Sequence, residues 1–324
     1  MDALRAAVGP QAALFALAAV GINLHFGYTG LLNFGQVGFM LVGAYGVAIS
    51  VTTWKLSFWL GVVVSLLAAL IWAIILGLPA LRLRGDYLAI ATLAGGEILR
   101  LLFRSNAATP ITGGVFGLTQ FADTFFSVNP LPAGRYGVSA SLAFDHRTLW
   151  VMLVAWMLAL GAASLTFLLG RSPWGRVVRA IREDEDVVKS AGKNVVVYKM
   201  QSLALGGAMG SLAGVLLATS QQAVTPDAFI PELTFFAYAI VILGGIGRAY
   251  GPIAGALIFW FILAAFDSLL RALAANGALP AALTSGQALG AGRFVLVGLG
   301  LMALMIFRPQ GIFGDRREMV LGAN

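Results

Sequence analysis

The sequence predicts an all-α polytopic membrane protein. Of its 324 residues, 59% are hydrophobic and only 11% are charged, against roughly 45–50% and about 25% in soluble domains. Long apolar stretches recur along almost the whole chain, and together they exceed what one aqueous core can bury. Because a spanning helix takes about 20 residues, the chain has room for about nine spans, with a range of eight to ten. We therefore expect a single transmembrane domain, 1–324, with no sizeable soluble domain.

Nine apolar runs bounded by glycine, proline or charge are the candidate spans. They are 10–26, 29–51, 57–80, 87–103, 149–170, 200–219, 233–247, 250–273 and 293–308. Glycines interrupt the second run and truncate the seventh. The second is therefore either a broken or re-entrant helix, or a continuous helix that packs closely through its small residues.

The basic residues predict the orientation of the chain. Of the 21 Lys and Arg residues, seven lie between 171 and 199, and short loops rich in basic residues face the cytoplasm. Alternation through nine spans places six more on the same side: Arg82, Arg84, Arg248, Arg308, Arg316 and Arg317. We therefore expect an extracytoplasmic N-terminus, a cytoplasmic tail at 309–324 and an extracytoplasmic loop at 104–148.

The composition also argues against several kinds of chemistry. The chain has no cysteine and two histidines, which excludes disulfides and thiolate chemistry and disfavours a metal site. No G-x-x-x-x-G-K-[ST] phosphate-binding loop occurs. We expect no enzyme activity, no cofactor and no ATP hydrolysis by this chain, and the clustering of its basic residues in loops gives no reason to expect a nucleic-acid partner.

The densest polar stretch, 171–199, predicts one or two short surface helices. Its apolar residues recur at helical intervals, and Gly192 is suited to a helix C-cap. The blocks of charge fit either a docking surface for another protein or a solvated loop. The candidate docking residues are Arg176, Arg179, Arg182, Glu183, Asp184, Glu185 and Gly192.

A few polar residues fall inside the apolar runs. Glu97 is either functional or paired with Arg100 or Arg104. Asn23, His25, Asn33 and Gln36 could join helices by hydrogen bonds or line a substrate path. Four of these residues are candidates for a translocation path: Asn23, Asn33, Gln36 and Glu97.

Small residues recur every fourth position in two places, which is typical of close helix packing. These residues are Gly206, Gly210 and Gly214, and then Gly247, Gly251 and Gly255. Asp267 and Arg271, four residues apart, are predicted to form an ion pair within one helix.

Several motifs together resemble one transporter family. They are Gly27-Tyr28-Thr29-Gly30-Leu31-Leu32-Asn33-Phe34-Gly35-Gln36, Leu83-Arg84-Gly85-Asp86-Tyr87, Thr112-Gly113-Gly114, Ser172-Pro173-Trp174-Gly175-Arg176, Gly244-Gly245-Ile246-Gly247 and Phe307-Arg308-Pro309-Gln310-Gly311. In this order they resemble the permease subunits of branched-chain amino acid ABC importers, the LivM type more than the LivH type.

The resemblance implies a type II importer permease in a bacterial inner membrane. Its implied partners are a second, similar permease, which we expect to be a different chain, two cytoplasmic subunits that bind the ATP, and an extracytoplasmic substrate-binding protein. It also implies that 176–192 is a coupling element that docks on an ATPase.

Two alternatives remain at this stage. Relatives with the same architecture carry urea, amides or other small solutes. An ion-coupled secondary transporter would belong to another class, but it normally needs several carboxylates within the membrane, and the spans offer little beyond Glu97.

Overall fold

The structure is a computed structural model. It describes residues 2–83, 85–137, 143–276, 290–292, 295, 298–300, 302, 306 and 311–314. Within these residues, six helical segments are long and apolar enough to cross a membrane. They are Pro10–Tyr28, Phe58–Ala80, His146–Arg171, Val195–Gln221, Pro226–Gly244 and Gly251–Ala275.

The described α-helices follow one another with short connections over most of the chain. They are α1 Asp2–Val8, α2 Pro10–Ile22, α3 Gln36–Thr52, α4 Phe58–Ala80, α5 Gly85–Arg104, α6 Thr109–Thr112, α7 Asp123–Ser127, α8 His146–Arg171, α9 Pro173–Glu183, α10 Glu185–Ser190, α11 Val195–Gln221, α12 Glu232–Gly244 and α13 Gly251–Ala275. A π-helix, Asn23–Tyr28, extends α2, and a 3-10 turn, Pro226–Ala228, precedes α12.

Eight of the nine predicted spans coincide with helices in the described part of the chain. The second coincides with α3, which has only 17 residues. The fourth coincides with α5, which carries charges at both ends and near its middle and is therefore less apolar than the six. The ninth, 293–308, falls largely outside the described residues, although 295, 298–300, 302 and 306 are helical. The number nine therefore stays a prediction.

The two alternatives for the second span each hold in part, since a loop interrupts it at 30–35 but Gln36–Thr52 is one continuous helix that packs closely through Gly43. Residues 30–35 are not helical, and Gly30 has a φ of +73°, which glycine adopts without strain. This loop lies inside the bundle, since the backbone N–H of Phe34 donates to Thr92 Oγ1 at 3.0 Å and Thr92 is well within α5. Such backbone is tolerated at membrane depth when it is buried in protein.

α2 and α11 form the centre of the bundle. Of the apolar window in each segment, 89% is buried for Pro10–Tyr28 and 78% for α11, against 33% for α4 and 28% for α8. Glycines allow the central contacts: a Cβ on Gly206 would lie 2.5 Å from the carbonyl oxygen of Gly21, and one on Gly214 would lie 1.9 Å from that of Met40. The predicted packing role of these glycines is confirmed, and the contacts lie within this chain.

The two ends of the bundle differ in charge. We call the end that carries 171–199 the basic end. Arg82 lines a cavity there with Lys189 and Lys199, and Arg248 lines another with Arg171. Both residues therefore lie on the predicted side, whereas Arg84, Arg308, Arg316 and Arg317 lie outside the described residues.

The segment 104–148 lies at the opposite end, and between α5 and α8 the elements that the structure describes are short. Strand β1, Leu118–Thr119, pairs antiparallel with β4, Ala223–Val224, just after α11. Strand β2, Arg135–Tyr136, pairs with β3, Phe144–Asp145. Three glycines, 113, 114 and 117, have positive φ angles between β1 and α6, as their turn-forming pattern predicts.

Candidate functional site

The segment 171–199 folds as two short helices, at the upper limit of the prediction. The hydroxyl of Ser172 accepts a hydrogen bond from the backbone N–H of Gly175 and begins α9, which has Pro173 in its first turn. Asp184, the residue between α9 and α10, caps the N-terminus of α10. Its carboxylate accepts hydrogen bonds from the N–H groups of Asp186, at 2.8 Å, and Val187, at 3.1 Å. Both are N-cap arrangements that satisfy backbone donors.

Gly192 ends α10 as the sequence predicts. Its φ is +73°, its N–H donates to the carbonyl oxygen of Lys189 at 2.9 Å, and the N–H of Lys193 donates to that of Val188 at 3.3 Å. This pair of bonds is the Schellman motif, which requires a left-handed residue at this position. The turn at Gly192 therefore sets the direction in which the chain enters α11.

One face of the two helices is buried against the bundle. Val178 is fully buried and packs with Leu24 and Tyr28 at the end of the first span. Ile181 and Val188 form a second buried cluster with Val195 at the start of α11. The segment is therefore held against the spans and is not a free solvated loop.

Arg182 connects α9 directly to the first span. One of its guanidinium nitrogens, Nη1, donates to the carbonyl oxygen of Gly27 at 2.5 Å. Gly27 lies in the π-helix, where the change in backbone pairing leaves carbonyl groups available to other donors. Gly30, three residues later, also contacts this side chain: a Cβ there would lie 3.1 Å from Arg182 Cγ, and its φ of +73° favours glycine.

The other face of this segment is exposed and mixes charge with apolar side chains. We call it the docking surface and define it by its exposed residues: Arg176, Arg179, Glu183, Asp184, Asp186, Val187, Lys193, Val196 and Val197. The valines are conspicuous, because Val187 is 64% exposed and Val196 and Val197 are each 46% exposed. Apolar residues surrounded by charge are a frequent feature of protein-binding surfaces.

Glu185 joins α10 to α11 through ion pairs. Its carboxylate lies 2.7 Å from Lys189 Nζ and also pairs with Lys199 of α11. Partial burial favours a higher pKa for Glu185, but the hydrogen bonds from Lys189 and Lys199 and their charges outweigh it, so the pKa lies below its ordinary value. The hydrogen bond to Glu185 raises the pKa of Lys189. Of the predicted docking residues, Glu185 is therefore paired within the chain, although its side chain is 38% exposed.

Three polar residues of the first two spans, His25, Asn33 and Gln36, form one buried network. His25 Nε2 lies 3.2 Å from the carbonyl oxygen of Leu203, which only accepts, so Nε2 carries the proton and Nδ1 accepts from Asn33 Nδ2 at 3.1 Å. Gln36 Nε2 donates to the carbonyl oxygen of Gly206 at 3.1 Å. In this conformation their side chains join the loop 30–35 to α2 and α11.

Asn23 holds the connection between α12 and α13. Its Oδ1 accepts from the N–H of Gly247 and its Nδ2 donates to the carbonyl oxygen of Arg248, both at 2.9 Å. The Gly-rich run around Gly247 is thus a tight interhelical hairpin, as predicted. Glycine is required in this run by space, since a Cβ on Gly244 would lie 2.0 Å from the carbonyl oxygen of Gly251.

Glu97 is the path candidate at the surface of the chain. Its side chain is 36% exposed and lies 2.5 Å from Arg100 Nη2, so the predicted pairing is present. Arg100 also reaches Asp227, at 2.7 Å, and Arg104 lies 3.5 Å from the same carboxylate. This network joins α5 to the turn before α12. The predicted pair of Asp267 and Arg271 is also formed, at 2.9 Å.

Sequence reasoning missed several members of these networks. Tyr238 of α12 donates to the carbonyl oxygen of Asn33 at 3.0 Å, and Thr234 accepts from the N–H of Val37 at 2.9 Å. Both are separated from their partners by about 200 residues, and neither interrupts its apolar run with a charge. Among the missed residues, Asp227 could have been found from the sequence, since it is an acidic residue just before a span and could pair with a basic residue.

No group of three or more potential metal-ligating side chains occurs in the part of the chain that the structure describes.

Comparison with known proteins identifies the family. The family described as branched-chain amino acid transport system / permease component matches residues 6–285. The high-affinity branched-chain amino acid transport system permease protein LivM of Escherichia coli is 33% identical over 95% of this chain and 69% of the relative. A probable LivM of Methanocaldococcus jannaschii is 30% identical over 78% of this chain and 79% of the relative. LivH of Escherichia coli is 25% identical over 75% and 79%. The chain thus belongs to the branched-chain amino acid permease family of ABC transporters, as a membrane protein with several spans.

Proposed function

We propose that this chain is the membrane-spanning permease of an ATP-driven importer for branched-chain or related amino acids in a bacterial inner membrane. The names of its LivM and LivH relatives support the substrate class. The chain itself would do no covalent chemistry and would bind no cofactor. Its partners would be a second, homologous permease, two cytoplasmic ATP-binding subunits and an extracytoplasmic substrate-binding protein.

One observation carries the coupling proposal: the docking surface belongs to helices that are fixed to the first span. Val178 packs on Leu24, and Arg182 bonds to the carbonyl oxygen of Gly27. A force on the exposed face of α9 and α10 would thus reach α2 through an apolar contact and a charged hydrogen bond. A solvated loop that served only to set topology would need neither contact.

The same geometry suggests where the movement would go next. The π-helix that accepts from Arg182 also contains Asn23 and His25, which hold the α12–α13 hairpin and the loop 30–35. In this proposal Asn23, Asn33 and Gln36 position the elements that move. Glu97, which lies at the surface of α5, is the remaining candidate for contact with the path.

Cysteine crosslinking tests the docking surface directly. The chain has no cysteine of its own, so a Val187→Cys variant carries a single thiol on that surface. In the assembled transporter this thiol should crosslink to an ATP-binding subunit with a short bifunctional reagent. The matched control is Val115→Cys, which is also exposed, at 47%, but lies at the opposite end. Equal crosslinking from both positions, or none from Val187→Cys in an active transporter, would contradict the proposal.

The same approach tests the orientation. A membrane-impermeant maleimide added to intact cells should label Phe116→Cys, where the side chain is 90% exposed, and should leave Lys193→Cys unlabelled until the membrane is opened. The reverse pattern would invert the topology.

Energy coupling separates this proposal from an ion-coupled transporter. Uptake in vesicles should require ATP on the cytoplasmic side. Uptake that continues without ATP, driven by an imposed proton gradient, would refute an ATP-driven importer. The ligand of the associated binding protein would then separate amino acids from urea or amides.

A further inference from the structure

A cavity at the basic end contains three arginines. It has a volume of about 520 Å³ and lies between the end of α8, the middle of α9 and the α12–α13 hairpin. Arg171, Arg179 and Arg248 line it, together with aromatic residues and the first residues of α13. None of the lining residues in the described part of the chain is acidic.

Two of the three guanidinium groups are held by aromatic rings. Arg171 lies 4.1 Å from the ring centroid of Phe167, and Arg179 lies 5.2 Å from that of Tyr28. A contact with a ring face fixes a guanidinium and leaves its N–H donors, which lie in the guanidinium plane, free for another partner. No salt bridge to Arg171 or Arg179 occurs among the described residues.

A second cavity at the basic end is lined by both basic and acidic residues, unlike the cavity with three arginines. It has about the same volume, 550 Å³, and is lined by Arg82, Lys189 and Lys199, but Glu185 and Asp186 line it too. Those charges are largely balanced within the chain. The cavity of the three arginines also receives the N-terminal end of α13, a helix of 25 residues whose dipole adds positive potential.

The position of the cavity points to a ligand from the membrane. Arg171 is the last residue of a spanning helix, so the cavity lies at the depth of the lipid headgroups. Leu168, one turn further into the span, is 65% exposed, and Tyr250 in the cavity wall is 48% exposed. An acyl chain beside α8 would bring its headgroup to Arg171.

We propose that this cavity binds the phosphate group of an anionic phospholipid, with Arg171 and Arg179 as the principal donors. Arginine pairs with phosphate through two parallel hydrogen bonds, which fits Arg171 and Arg179, since neither forms a salt bridge among the described residues. The site would favour phosphatidylglycerol over a zwitterionic lipid of the same chain length. It goes beyond the proposed transport function and does not depend on the ATP-binding subunits.

Native mass spectrometry of the full-length chain in a neutral detergent tests the proposal. Phosphatidylglycerol and phosphatidylcholine with identical acyl chains are titrated separately, and the expected result is about tenfold tighter binding of phosphatidylglycerol. Arg171→Gln and Arg179→Gln should each weaken phosphatidylglycerol binding about fivefold and phosphatidylcholine binding by less, because the choline cation already offsets the phosphate charge. An unchanged thermal unfolding midpoint shows that each variant is folded.

The matched control is Arg176→Gln, which removes the same charge from the same helix but does not line the cavity. It should bind phosphatidylglycerol as the unchanged chain does. An equal loss in Arg176→Gln, or no preference between the two lipids, would overturn the proposal. A competition experiment with millimolar inorganic phosphate separates a lipid from a free anion. Full displacement of phosphatidylglycerol would show a site for free anions and overturn the assignment to a lipid.

Discussion

Arg182 Nη1 lies 2.5 Å from the carbonyl oxygen of Gly27, in the π-helix that ends the first span. Arg182 belongs to α9, and Gly27 lies next to the backbone of the α12–α13 hairpin. This hydrogen bond is therefore one polar link between the docking surface and the moving parts of the proposed transport cycle.

Replacing Arg182 should uncouple the transporter and leave its assembly intact. Hydrogen bonds that involve a charged group contribute about 1.5–3 kcal/mol, so Arg182→Gln should lower substrate-stimulated ATP hydrolysis by the assembled complex about tenfold. Arg182→Lys, which keeps the charge but loses the planar fork, should be intermediate. Arg176→Gln, on the same helix but without this contact, shows how much the loss of a docking-surface charge contributes. If Arg182→Gln leaves substrate-stimulated ATP hydrolysis unchanged, the bond to Gly27 has no role in coupling.

The effect of a substitution at Gly192 should depend on how readily the new residue adopts a left-handed backbone conformation. A Cβ there meets no atom within 4 Å, so the cost of Gly192→Ala comes from its φ of +73° and should be about 1–2 kcal/mol. Gly192→Asn should cost less, because asparagine adopts this conformation more readily. Hydrogen exchange of the α10 amides measures the difference. Equal exchange in both variants would mean that the Schellman turn does not limit the stability of α10.

Substitution by alanine should lower stability at Gly214 but not at Gly161. A Cβ on Gly214 would lie 1.9 Å from the carbonyl oxygen of Met40, whereas one on Gly161 meets nothing within 4 Å. Gly214→Ala should therefore lower stability by about 1–3 kcal/mol through overpacking. Gly161→Ala should leave it unchanged or raise it by about 0.5–1 kcal/mol, as alanine does within a helix. Thermal unfolding of the purified chain measures both, and similar midpoints would refute the close α3–α11 contact.

Acid should release α10 from α11. The pKa of Glu185 is depressed in the folded chain, so its ion pairs stabilise the fold above the ordinary value of 4.5, and this contribution is lost as the pH falls through the lower folded value. The protection of the α10 amides should thus be constant from pH 7 to about 5 and decline below about 4. Glu185→Gln should show weaker protection and no decline over this interval. The raised pKa of Lys189 matters at high pH. Its ion pair with Glu185 stabilises the fold up to the ordinary value of 10.5, and this contribution is lost as the pH rises through the higher folded value.

Arg100→Gln should be more harmful than Glu97→Gln. Arg100 is only 13% exposed and pairs with two carboxylates, so its loss leaves both Glu97 and Asp227 without their main partner. After Glu97→Gln, Arg100 still pairs with Asp227. We expect normal assembly for Glu97→Gln and a lower unfolding temperature for Arg100→Gln. If Glu97→Gln also transports normally, Glu97 is not part of the path.

The amino-acid sequence by itself determined the membrane class, the positions of most apolar helices and the polar segment 171–199, whereas the number of spans stays a prediction. Apolar length fixes whether a segment can cross lipid, and capping is local, so Ser172, Asp184 and Gly192 specify their helix ends without the rest of the chain. The glycines of the second span did not decide whether it is broken, because Gly30 lies in the interrupting loop while Gly38 and Gly43 lie within the continuous helix α3.

Tertiary structure alone decided which polar side chains meet. The sequence left open whether Asn33 and Gln36 join helices or line a path, and their bonds to His25 and Gly206 depend on contacts with the π-helix that extends α2 and with α11. Tertiary packing also decides that Arg182 bonds to the carbonyl oxygen of Gly27 and that Arg171, Arg179 and Arg248 line one cavity. A hydrogen bond across 155 residues leaves no periodic trace in the sequence, because it forms only where packing brings two distant backbones together.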